Sequence, residues 1–136
     1  MCSPADGSVR PDAAVTWERR DAPGDAVELH VLAPAPGERL LVVRGEIDAA
    51  EADAVQEVAT RLLAEASSLV VDLSELGFLA SRGLAALVHV QRAAERAGVS
   101  LQVVTGGNRA VLRPLQVTGV DTQLHLVAHR DGPAPG

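Results

Sequence analysis

Residues 69–87 read Leu-Val-Val-Asp-Leu-Ser-Glu-Leu-Gly-Phe-Leu-Ala-Ser-Arg-Gly-Leu-Ala-Ala-Leu. The first five make a short run, β-branched at Val70 and Val71 and almost continuously apolar, the pattern of a strand buried on both faces and hence of a parallel or mixed sheet. After Leu79 the period changes. Leu84, Leu87, Val88, Ala94 and neighbouring alanines recur as on a helix, with Arg92 and Arg96 near its C-terminus and Gly98 just beyond. Ser81 stands where one pattern gives way to the other. A serine at such a junction leaves its hydroxyl outside the fold, with free amides of the first helical turn pointing toward it.

Toward the N-terminus, Asp48 precedes Ala49, Ala50 and Glu51. At that spacing an N-cap oxygen and a glutamate three residues on satisfy free backbone amides. The helix so started carries Val55, Val58, Ala59, Leu62 and Ala66 on one face, while Glu51, Glu57, Arg61 and Glu65 fall largely elsewhere, so it covers a sheet. Ahead of it, Val27–Leu32 and residues 39–44 form two strands joined by a turn from Ala33 to Gly37. Residues 1–26 are rich in Pro, Gly, Asp and Arg and show only a weak strand-like patch from Ala14 to Glu18, so most of this segment is expected to be loosely ordered.

Toward the C-terminus, residues 99–104 form another strand, Gly106 and Gly107 a turn, and Asn108 the cap of a short helix that Pro114 kinks or shortens. Residues 124–127 give a final strand, and residues 129–136 a tail. The expected order is β-β-α-β-α-β-α-β over a domain of residues 27–128. That is an α/β fold, with helices packed against a mixed β-sheet.

Composition narrows the function. A chain of 136 residues fits one domain. Trp17 and Phe78 are its only aromatic residues, so the core is built from Ala, Val and Leu, and no stacking platform for bases exists. The formal net charge is −6 without a run of arginine that could neutralise successive phosphates, which removes the electrostatic term that drives binding to nucleic acid or an anionic membrane. Proteins or small molecules are the expected partners. The absence of lysine excludes a P-loop or Schiff-base lysine, and the bias toward Ala, Val, Gly and Arg points to a GC-rich bacterial genome.

Cys2 is the only cysteine, so no intramolecular disulfide forms. His125 and His129 lie on or after a strand, where a spacing of four does not converge on a metal, and no cofactor is expected. The N-terminus lacks the basic-then-apolar order of a signal peptide, and no apolar run reaches the length of a membrane span. A cytoplasmic location is expected.

On this framework, Gly45-Glu46-Ile47-Asp48 after the second strand and residues 72–84, Asp-Leu-Ser-Glu-Leu-Gly-Phe-Leu-Ala-Ser-Arg-Gly-Leu, resemble the two signatures of the STAS family, over about residues 27–128. The second signature usually reads Asp-Ser-(Ser or Thr)-Gly-Leu, and its first serine is the phosphorylation site of bacterial anti-sigma factor antagonists. The matching residue is Ser81. The resemblance implies a partner-switching cycle. The unphosphorylated protein binds an anti-sigma factor, itself an ATP-dependent serine kinase, and so releases a sigma factor; phosphorylation ends the binding and a PP2C-type phosphatase restores it. It also places Gly45, Asp48, Ala80, Ser81, Arg82, Gly83 and Leu84 at the partner-binding surface. Two positions depart from the pattern, Ala80 for the usual Asp and Arg82 for the usual Ser or Thr. Arg82 is placed either to hold a phosphate on Ser81 or to contact an acidic partner directly. Within the same family, the alternative is a module of a stressosome-like scaffold or a transport accessory complex that phosphorylation does not regulate.

Each of these residues also has a plain structural role. Ser81 as an N-cap contributes about 1 kcal/mol to its helix, a role compatible with accepting a phosphate. Asp48 caps a helix whether or not it touches a partner. Gly83 costs up to about 1 kcal/mol in a first turn, which close packing or a partner's approach would explain. Leu84 and Val88 belong by default to the core, and Gly106-Gly107-Asn108 is a turn plus cap rather than a nucleotide loop. Ser81 superficially resembles the nucleophile of a hydrolase elbow, but Leu79 stands where that motif requires glycine. His89, eight residues along the same helix, rises about 12 Å from it, beyond the reach of a base. Enzymatic activity is not expected.

Overall fold

The computed structural model describes residues 16–19 and 27–128. Cys2, His129 and the C-terminal tail lie outside the described residues. The elements follow as strands β1 (Thr16–Arg19), β2 (Val27–Leu32) and β3 (Glu38–Ile47), helix α1 (Ala49–Leu63), strands β4 (Ser68–Asp72) and β5 (Leu76–Leu79), helix α2 (Ser81–Ala97), strand β6 (Ser100–Val104), helix α3 (Arg109–Thr118), a short 3-10 turn (Val120–Gln123) and strand β7 (Leu126–Val127). The expected order is contained in this one, and two strands are added. β1 overlaps the weak strand-like patch read from Ala14 to Glu18, within a segment otherwise expected to be loosely ordered, and pairs antiparallel with β2, Thr16 opposite Val31. β5 was not anticipated as a separate element.

The sheet runs β1-β2-β3-β4-β6-β7, with β5 paired to β3. β1, β2 and β3 are antiparallel neighbours, whereas β3, β4, β6 and β7 are parallel and joined through α1, α2 and α3. β3 is long enough to serve two partners along one edge. Glu38 to Val42 pair with β4, and Gly45 to Ile47 pair with β5. The register breaks between Gly45 and Glu46, and Gly45 takes φ +103°, a conformation that strains any residue with a Cβ.

One sheet face carries the core. Leu29, Val43, Leu41, Val71 and Val103 succeed one another across β2, β3, β4 and β6, and Val55, Val58, Leu62, Leu87, Val90, Val111 and Leu115 from the three helices close over them. Full burial of each such side chain contributes roughly 1.5–3 kcal/mol. The other face is less enclosed. β4 alternates between half-buried Ser68 and Val70 and buried Leu69 and Val71, so the expectation of burial on both faces holds only toward its end, at Asp72.

The caps are largely as expected. Asp48 Oδ1 accepts from the Ala49 amide at 2.8 Å, and Glu51 closes the capping box by accepting from the Asp48 amide at 3.2 Å. Glu51 is thereby buried rather than facing outward, and Ala66 lies beyond the end of α1. Gly98 ends α2 in the left-handed conformation. Pro114 does not end α3, which continues to Thr118 before Gly119 closes it.

Candidate functional site

β5 and α2 deliver Ser81 to one end of the sheet. The Ala80 amide donates to the Ile47 carbonyl at 2.9 Å, so α2 begins beside the end of β3, next to the Asp48 cap of α1. The two signature segments, 45–48 and 72–84, thus meet at the sheet edge through the pairing of Ile47 with Leu79.

Ser81 is not the N-cap. Ala80 occupies that position with φ −80° and ψ 167° and no side-chain cap, and Ser81 is the first helical residue. The amides of Gly83 and Leu84 both donate to the Ala80 carbonyl, at 2.8 and 3.1 Å. Those of Ser81 and Arg82 keep no backbone partner among the described residues. The Ser81 side chain is exposed, and its hydroxyl makes no hydrogen bond among the described residues. An exposed oxygen without a hydrogen bond among the described residues, at the positive end of a 17-residue helix, stands where added negative charge is tolerated.

The neighbours divide by burial. Arg82 is exposed and its Nη2 lies 2.9 Å from Asp53 Oδ1 on α1. Asp48 is exposed, Gly45 and Ala80 half-buried. Gly83 and Leu84 are buried, Leu84 being 5% exposed, so neither offers a partner much surface. Gly83 is explained by packing. A Cβ there would lie 2.5 Å from Leu79 Cδ1 and 2.9 Å from Ile47 Cγ2.

Sequence reasoning missed the clasp that holds this end together. Asn108 not only caps α3 by accepting from the Ala110 amide at 3.0 Å; its Nδ2 also donates to the carbonyls of Leu73, Ser74 and Leu76, the last at 2.7 Å. Asp72, buried, accepts from the Ser74 amide at 2.9 Å and its hydroxyl at 2.7 Å. Together they fix the turn from which β5 departs toward Ser81. Beside Ser81 opens a groove of about 500 Å³ between β5, α2 and α3, lined by Phe78, Leu79, Leu84, Arg109, Arg113, Pro114 and Val117 among others.

Comparison with known proteins identifies the family and the fold. The family model described as Mlab, STAS domain, matches residues 31–128. The chain belongs to the STAS family. A crystal structure of an anti-sigma factor antagonist from Mycobacterium paratuberculosis is 30% identical with a TM-score of 0.70, over 79% of this chain and 91% of that one. The anti-sigma factor antagonist SpoIIAA in its unphosphorylated form superposes with a TM-score of 0.65 at 12% identity, over 78% of this chain and 91% of that one. The Bacillus cell fate determinant SpoIIAA in its phosphorylated form gives 0.61 at 11% identity, over 78% and 95%. These last two share the fold. A comparison with curated proteins found no match. Among the described residues of this STAS domain, no helix is long and apolar enough to cross a membrane, and no three His, Cys, Asp or Glu side chains gather as a metal would require.

Proposed function

We propose that this STAS protein is an anti-sigma factor antagonist that acts in the cytoplasm by binding rather than by catalysis. It binds an anti-sigma factor with an ATP-dependent serine kinase fold and thereby releases a sigma factor. The observation that carries the reading is the exposed, unengaged hydroxyl of Ser81 at the first position of α2. Support comes from the similarity to the Mycobacterium paratuberculosis antagonist over most of both chains.

Phosphate on Ser81 adds about −1.5 to −2 charges at a surface without disturbing the core beneath it. The bound kinase thus ends its own inhibition by repulsion and desolvation at the contact, and a PP2C-type phosphatase resets the protein. Gly45, Asp48, Ala80, Ser81, Arg82, Gly83 and Leu84 form the contact region in this reading, with Gly83 and Leu84 acting by shaping it from beneath.

The test is capture of the partner from the native cell, followed by titration of the purified pair. Ser81→Ala is expected to bind as the wild type does, and Ser81→Glu to lose most of its affinity. A partner without a kinase fold, or equal binding by both variants, contradicts the proposal.

A further inference from the structure

Two large hydrophobic side chains stand strongly exposed among the described residues, Phe78 at 48% and Val117 at 75%. Both line the groove beside Ser81, whose apolar lining is completed by half-buried Pro114 and, from beneath, by the largely covered Leu79 and Leu84. Exposed apolar surface gathered in one concavity marks a docking site more often than scattered residues do.

The groove also bears two cations. Arg109 and Arg113 are one helical turn apart on α3, both exposed, and neither side chain has an ion pair or hydrogen bond among the described residues. α3 contains no acidic residue. Arg109 occupies its first position, where the positive end of the helix repels a cation. On a chain of net charge −6, two exposed arginines without an ion pair or hydrogen bond among the described residues thus stand beside an apolar wall, one of them at the helix end where the dipole favours an anion.

We propose that the groove seats a segment of a protein partner that presents a carboxylate to Arg109 and Arg113 and, within a turn of it, a large apolar side chain between Phe78 and Val117. The inference rests on reading this end as the partner-binding surface and adds the chemistry of what binds there. A bilayer is disfavoured as occupant, because the net charge of −6 repels an anionic surface. Ser81 lines the same groove, so a phosphate on it competes with the partner's carboxylate for the same arginines.

The probe is a random-peptide phage library selected on the full chain, followed by polarisation titration of the best synthetic peptide. The reversal variant Arg109→Glu/Arg113→Glu changes exposed side chains and places a favourable charge in the first turn of α3, so it is expected to stay folded. Selection is expected to enrich peptides with Asp or Glu beside a large apolar residue. Their affinity is expected to drop at least about tenfold in the reversal variant, to weaken in Phe78→Ser, and to fall with added salt. The proposal is overturned by enrichment of peptides lacking acidic residues, by equal binding to the reversal variant, or by no enrichment at all. Self-association of the chain that the reversal abolishes also overturns it, by making a second copy the occupant. No kinase takes part, so failure here leaves Ser81 phosphorylation standing, and an unlabelled Ser81 with intact peptide binding refutes the switch but not the groove.

Discussion

Arg82 and Asp53, 29 residues apart in sequence, close an ion pair of 2.9 Å that ties the first turn of α2 to α1. Their side chains are 60% and 69% exposed, so solvent screens the pair and its contribution is about 0–1 kcal/mol. Arg82 is therefore held without being committed, and a stronger anion can take it. Arg82→Ala and Asp53→Asn are each expected to change stability by less than about 1 kcal/mol in urea denaturation, while Arg82→Ala is also expected to lower partner affinity.

Gly83→Ala sets two principles against each other. Helix propensity favours alanine by roughly 1 kcal/mol, but the new methyl would lie 2.5 Å from Leu79 Cδ1 and 2.9 Å from Ile47 Cγ2. Overpacking of this kind costs about 1–3 kcal/mol, and the core side is expected to win. A net destabilisation near 1 kcal/mol or more is expected in chemical denaturation; a stabilised variant would show that the helix moves away freely.

Asn108 separates cap from clasp. Asn108→Asp keeps the acceptor for the Ala110 amide but loses the donor to three carbonyls and sets a carboxylate against them. Asn108→Asp is expected to lose about 2–3 kcal/mol, more than the ~1 kcal/mol of a cap alone. Amide exchange in β5 is expected to quicken in the same variant.

Asp48→Asn distinguishes capping from contact. Asparagine caps as well as aspartate, so stability is expected to hold within about 0.5 kcal/mol. A fall in partner affinity in calorimetry then reports the carboxylate's own contact, whereas unchanged affinity assigns Asp48 to the helix alone.

What was legible in the sequence is what depends on neighbours along the chain. The Asp48–Glu51 box, the αL stop at Gly98 and the cap at Asn108 are local devices, readable from spacing. β5 was not, because Leu76 to Leu79 is only four residues with no alternation, and its partner is the far end of β3. The place of Ser81 shifted by one position because Ala80 takes the extended conformation that a side-chain cap would otherwise advertise. Arg82 with Asp53, and Asn108 with the carbonyls before β5, join segments that only the fold brings together. Arg109 did carry a local signal, a cation in a first helical turn, and it points to the groove.

The most direct test of the switch is mass spectrometry of the protein incubated with its captured anti-sigma partner and ATP, read together with the fraction still in complex. One phosphate on Ser81, none in Ser81→Ala, and dissociation in step with labelling are the predicted result. Phosphate that persists in Ser81→Ala, or a complex that survives full labelling of Ser81, would contradict it.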